Sequence, residues 1–270
     1  MRLCWIHPTT RIERLERLWG RIEASILPVL RPDCQLEFRF LPASGNFTRS
    51  LYAEHLNSVH MIEAAIRAEA DGIDGIFLGC WNDALWETRE ILSVPVASVG
   101  EQSMLWALTM GRRFAVVTVS PKTADSIEND LISYGLSQRA IHWPVRSISP
   151  VSDTELLCRS AEDPRAEFIP RFELTARECI ADGAEVIIVG CGYYGPLLRS
   201  SGYLEVPGTG VPVLDSSAIG LKSLEAMVDT AGRCGYVKSR ANALRPPEPE
   251  ALANARASLG LFPAAGEDMI

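Results

Sequence analysis

Short apolar runs of about five to eight residues alternate along the chain with longer stretches whose apolar residues recur every three or four positions. That alternation predicts parallel β-sheets covered by helices on both faces. Leu3-Cys4-Trp5-Ile6 breaks at Pro8, and Val116-Val117-Thr118-Val119 breaks in the same way at Pro121. Gly-Ile-Asp-Gly-Ile-Phe-Leu-Gly-Cys (72–80) and Gly-Ala-Glu-Val-Ile-Ile-Val-Gly-Cys (183–191) each read as a strand that ends on a cysteine. Ahead of the first lies a predicted helix over 54–71, with Leu56, Val59, Ile62, Ala65 and Ile66 at helical spacing and a stop at Gly72. Ahead of the second, 165–182 carries Phe168, Phe172, Ala176, Cys179 and Ile180 and stops at Gly183.

These elements form two copies of one unit. Pro8 pairs with Pro121 at an offset of 113, Cys80 with Cys191 at 111, and Val94-Pro95-Val96 with Val211-Pro212-Val213 at 117. The extra residues of the second copy fall after Cys191, in the Gly- and Pro-containing stretch 202–210. Each copy reads strand, helix, strand, helix, strand. In such sheets ligands bind where loops diverge beyond the carboxyl ends of the strands. Both cysteines and both Pro turns fall at those ends.

Composition narrows the function classes. A chain of 270 residues with 47% hydrophobic and 22% charged side chains is an ordinary globular protein that can bury a substantial core. Its formal net charge of −8, with Lys and Arg scattered, argues against a nucleic-acid partner and supplies no basic membrane patch. No apolar run approaches the roughly 20 residues of a membrane span, and Met-Arg-Leu-Cys-Trp-Ile is not a signal-peptide layout, so a cytoplasmic location is expected. Seven cysteines, an odd number without a Cys-x-x-Cys pair, predict free thiols with neither a disulfide framework nor a zinc knuckle. Segment 153–172 reads as a solvated helical face and 245–270 as a peripheral tail.

Two thiols on opposite sides of a substrate suit proton transfer at a carbon alpha to a carbonyl. Inversion needs a base on one face and an acid on the other, and identical groups serve both directions. Cysteine ionises near pH 8.5, so its thiolate needs stabilising by strand-end amides, a helix N-terminus or a nearby donor. Gly79, Gly190 and Gly192 allow close backbone approach, and loop amides of this kind can hold developing enolate charge. Cys4, Cys34, Cys158, Cys179 and Cys234 read instead as small core hydrophobes. Asp83 and Glu101 read as helix caps or dipole partners.

Gly79-Cys80-Trp81-Asn82-Asp83, Arg89-Glu90-Ile91-Leu92-Ser93-Val94-Pro95-Val96, Gly100-Glu101, Phe114-Ala115-Val116-Val117-Thr118-Val119 and Gly190-Cys191-Gly192 resemble the aspartate/glutamate/hydantoin racemase superfamily, most of all its hydantoin racemases. The resemblance runs from the Ile6-His7-Pro8-Thr9-Thr10 turn to about residue 230. It implies two pseudo-twofold-related, Rossmann-like α/β domains with parallel four-stranded sheets flanked by helices and an active site in the interdomain cleft. The expected lobes are 1–98 plus 216–270, carrying Cys80, and 99–215, carrying Cys191. Implied too are a cofactor-independent two-cysteine mechanism with no metal, a small-molecule substrate and a homo-oligomer. In the family a Thr-containing turn contacts substrate polar atoms, so the resemblance implies that Thr118, with the backbone of Val119, lies at the substrate; by residue type Thr118 fits equally a plain β-branched strand position. His7 stands where the family commonly has Asn in an Asn-Pro-Asn-Thr-like turn. It is expected either to donate to the substrate or to lie at a surface turn. Asn82 and Gly192 fall in the cysteine loops.

Departures from the family pattern bear on substrate. Trp81 and Tyr193-Tyr194 follow the two cysteines and predict aromatic walls suited to a flat or apolar ring substituent. Neither cysteine has Arg or Lys nearby in sequence, the closest being Lys122 and Arg49, whereas a dicarboxylate calls for cationic forks. The expected substrate is a 5-substituted hydantoin or related cyclic carbonyl compound. An Asp/Glu-type racemase, a decarboxylase or cis-trans isomerase of the same superfamily, and a non-enzymatic two-lobed binding protein are the alternatives.

Overall fold

In the computed structural model, which describes residues 1–45, 50–81 and 84–259, nine strands form two sheets. The first half runs β1 (Arg2–Ile6), α1 (Glu16–Ile26), β2 (Gln35–Arg39), α2 (Leu51–Ala70), β3 (Gly75–Leu78), α3 (Leu85–Ile91), β4 (Val96–Ser98) and α4 (Val99–Met110). The second runs β5 (Phe114–Thr118), α5 (Pro121–Ser133), β6 (Ala140–Ser147), α6 (Thr154–Glu162), α7 (Phe168–Ala181), β7 (Val186–Gly190), α8 (Tyr194–Ser200), β8 (Glu205–Val206) and β9 (Val211–Leu214). Helices α9 (Ser216–Cys234) and α10 (Pro249–Leu259) close the described chain.

The first sheet has the order β2-β1-β3-β4 and is parallel throughout. The second repeats it as β6-β5-β7-β9, also parallel. Contrary to the expectation of four strands in each, it has a fifth, β8, antiparallel on β9. This strand arises from the 202–210 insertion, which doubles back through Gly208 and Gly210, both at positive φ. A two-residue edge strand of this kind caps an open sheet edge.

β1, β3, β5 and β7 sit in the middle of their sheets, and β3, β5 and β7 are buried along their whole length. On α2 the buried face is Met61, Ala65 and Ala68, while Leu56, expected on that face, is exposed. Asn57 and Glu63 are buried in its stead, because each finds a distant partner. Asn57 Oδ1 accepts from the Gly45 amide at 2.9 Å and Glu63 Oε1 from Arg256 Nε of α10 at 2.8 Å. The tail is therefore pinned to the first half through a buried carboxylate. Solvated acidic residues of α6 do face water, but Arg14–Glu155 and Arg17–Glu162 pairs also tie that helix to the segment around α1.

Helix α9 packs on β3 and β4 of the first sheet and also against α4, α8 and β7. Gly220 makes the contact with the first sheet close. A Cβ there would lie 2.4 Å from Phe77 Cε2 and 3.1 Å from the Ser98 carbonyl oxygen. No described helix is long and apolar enough to cross a membrane.

Candidate active site

The carboxyl ends of β3 and β7 bring Cys80 and Cys191 to one cavity of about 600 Å³, and both cysteines are half-buried in its wall. The two loops touch. A Cβ on Gly192 would stand 2.6 Å from the Gly79 carbonyl oxygen, and one on Gly79 would overlap the Trp5 indole nitrogen at 1.9 Å. Only glycine permits that approach, so the residue before one cysteine and the residue after the other weld the two loops. Trp81, Val119, Gly192 and Tyr193 line the same cavity. Asn82 lies outside the described residues, as do Asp83 and Arg49.

His7 and Thr118 stand one layer behind the wall. His7, far from being a surface turn residue, is fully buried among aromatic rings. Its ring stacks on Phe40 at 4.3 Å between centroids and on Trp5 at 5.2 Å, and Nδ1 lies 3.4 Å from the Tyr193 hydroxyl. Burial, with the nearby Arg11 charge adding to it, pulls the imidazole pKa down to about 3 and keeps the ring neutral. Thr118 donates its hydroxyl to the Gly190 carbonyl at 2.8 Å, so its polar atom is engaged by the Cys191 loop.

Aromatic side chains dominate one side of the cavity. Trp19 and Tyr193 meet edge to face at 5.2 Å, and Trp81 is buried beside Cys80. Tyr194 stacks flat on Phe168 at 3.5 Å and shares a 2.8 Å hydrogen bond with Ser152. Thr123, Asp130, Asp153 and Glu54 give the wall polar and carboxylate positions. Arg14 is the one cationic side chain on it among the described residues, and Glu155 Oε1 holds its Nη1 at 3.1 Å. Lys122 is exposed and does not line the cavity. Glu101, in the first turn of α4, accepts from Arg89 Nη1 at 2.8 Å in a nearly buried pair away from the wall.

Sequence patterns did not single out Trp19, Thr123, Asp130 or Asp153, nor a set of hydroxyls behind Cys191. Ser216 donates to the Val189 carbonyl and Ser217 to the Gly192 carbonyl, each at 2.7 Å. The signal was present in Asp215-Ser216-Ser217, an N-cap pattern directly after a strand. Of the remaining cysteines only Cys4 and Cys179 are core residues; Cys34 and Cys158 are half-buried and Cys234 is exposed, because they fall at element ends and on outer helix faces.

Residues 19–224 match the family model described as Asp/Glu/hydantoin racemase, a span that contains both cysteines. The chain belongs to that family. It is 31% identical over 191 residues to a hydantoin racemase of Pseudomonas sp. strain NS671, covering 70% of this chain and 72% of the relative. To a hydantoin racemase of Rhizobium meliloti it is 30% identical over 210 residues, covering 74% and 78%. Among solved structures, allantoin racemase from Klebsiella pneumoniae superposes with a TM-score of 0.76 at 23% identity, covering 97% of this chain and 100% of that one. The racemase-family protein is thus an enzyme of the isomerase class, which removes the non-enzymatic binding protein from the alternatives.

Proposed function

We propose that this racemase acts on a 5-substituted hydantoin or a related cyclic carbonyl compound, without a cofactor, through Cys80 and Cys191 as a base–acid pair. The observation that carries the reading is the single cavity into which the two strand-end thiols open from separate sheets. One thiolate takes the proton from the carbon alpha to the carbonyl, and the opposite thiol returns one to the other face. The enolate formed between these steps is planar at that carbon, so the second transfer sets the opposite configuration. General acid–base transfer of this kind supplies about 10²–10⁴-fold in rate.

Substrate class follows from the walls. Trp19, Trp81 and Tyr193 favour an apolar or flat ring substituent. A dicarboxylate is disfavoured where Asp130, Asp153 and Glu54 share the wall with one engaged arginine. We further take the lobes to be 1–98 plus 216–270 and 99–215, supported by the seating of α9 on β3 and β4 and of α10 on α2. A cytoplasmic homo-oligomer completes the proposal, its assembly supported by the family resemblance.

A substrate panel tests this reading. Polarimetry with single enantiomers of 5-benzylhydantoin, allantoin, aspartate and glutamate is expected to show loss of rotation for the hydantoin ring compounds alone. Racemisation of aspartate or glutamate with the hydantoins untouched would overturn it.

A further inference from the structure

Four consecutive backbone carbonyls surround Cys191, and every one accepts a hydrogen bond. Val189 O accepts from Ser216 Oγ at 2.7 Å, Gly190 O from Thr118 Oγ1 at 2.8 Å, Cys191 O from the Gly195 amide at 3.3 Å and Gly192 O from Ser217 Oγ at 2.7 Å. Three of these donors are side-chain hydroxyls, all essentially inaccessible to solvent. They come from two elements, β5 and the first turn of α9, which reach the loop from the two sides of β7.

Buried hydroxyls must donate somewhere, and on a helix the usual acceptor is a carbonyl one turn back. Ser103 and Ser223 in this chain do just that, donating to Val99 O and Ile219 O. Ser216 and Ser217 do not. Nor are they needed as caps, because Asp215 Oδ1 already accepts from the Ser217 and Ala218 amides at 3.1 Å each. Their hydroxyls are thereby released to the cysteine loop. A trans peptide carries its N–H opposite its C=O, so fixing these carbonyls fixes the direction of each following amide as well. Donation also withdraws carbonyl lone pairs from the neighbourhood of an anionic sulfur. The 19-residue helix α9 adds the positive end of its dipole at the same place.

We propose that Thr118, Ser216 and Ser217 are positioning residues that poise Cys191 as a thiolate, setting the orientation of the backbone around its sulfur without touching substrate. The proposal rests on the reading of Cys191 as one of the two proton-transfer groups. It assigns Thr118 a role different from direct substrate contact.

Ionisation of each cysteine, read separately, tests it. The full-length protein is alkylated with iodoacetamide across pH 5.5 to 10, and the rates at Cys80 and Cys191 are followed by peptide mass spectrometry. Thr118→Val and Ser217→Ala are expected to move the Cys191 midpoint up by about 0.5–1 pH unit while leaving Cys80 in place. Thr118→Ser, which keeps the hydroxyl, should restore the wild-type midpoint. An unchanged Cys191 midpoint in the folded variants overturns the proposal, and so does an equal shift at Cys80, which would signal general loosening. Ser217→Ala stands alone should Thr118→Val fail to fold. Because the readout contains no substrate, a protein that fails on hydantoins yet shows the selective shift contradicts the substrate assignment and not the hydroxyl brace.

Discussion

His7 illustrates how a single buried group leaves a measurable mark. Its imidazole titrates near 3 in the folded chain against 6.5 ordinarily, because burial penalises the charged ring. Between those values the unfolded chain takes up a proton that the folded one cannot hold. The stability tied to His7 is therefore intact above pH 6.5 and is lost as the pH falls toward 3. At about pH 4 the loss amounts to about 3 kcal/mol. Urea unfolding at pH 7.5 and pH 4 should show that loss in the wild type and a flatter dependence in His7→Phe; equal slopes would refute the account. The same burial logic sorts the thiols. Cys4 is pushed up to about 12 and Cys179 to about 11, in both cases chiefly by burial, and so both stay protonated at pH 8. Exposed Cys234 is expected to be alkylated to completion before either reacts, and labelling of Cys4 or Cys179 at its rate would contradict this.

At the scale of elements, the joint between α9 and the first sheet is the most exacting contact. Gly220→Ala would drive a methyl group into Phe77, which is wholly buried, and is expected to cost about 1–3 kcal/mol, read as a lower urea midpoint at unchanged slope. No loss would mean that Phe77 has room to retreat. Strands, turns and the repeat were legible in the chain because Pro8, Pro121, Gly72 and Gly183 punctuate runs of strong apolar period. The buried face of α2 was not. Glu63 is buried because Arg256, 193 positions away, neutralises it, and no local pattern announces such a partner. Strand β8 escaped notice because two residues are too few to show a period. At the site, Cys80, Trp81, Cys191 and Tyr193 were legible from their place at strand ends, whereas Trp19 and Asp130 reach the cavity from helix-side segments that only the tertiary fold brings round.

The whole molecule is two similar sheets whose cysteine loops meet backbone to backbone at Gly79 and Gly192. Separating them should cost catalysis as well as stability. Gly192→Ala, which must displace the Gly79 backbone carbonyl, is expected to lower the unfolding midpoint and, in the protein that remains folded, to lower kcat at least tenfold, since a displacement of about 1 Å at a reacting group costs up to 10²-fold. Wild-type kcat in that variant would show that the loop contact does not set the distance between the thiols. The central claim, two thiols acting on opposite faces of one carbon, is tested most directly in heavy water. A single enantiomer of 5-benzylhydantoin is incubated with the enzyme while optical rotation and the C5 proton are followed together. Rotation should decay with deuterium appearing at C5 of the inverted product, and both Cys80→Ser and Cys191→Ser should abolish that decay. Inversion that proceeds without deuterium, or that survives loss of either thiol, would contradict the two-cysteine mechanism.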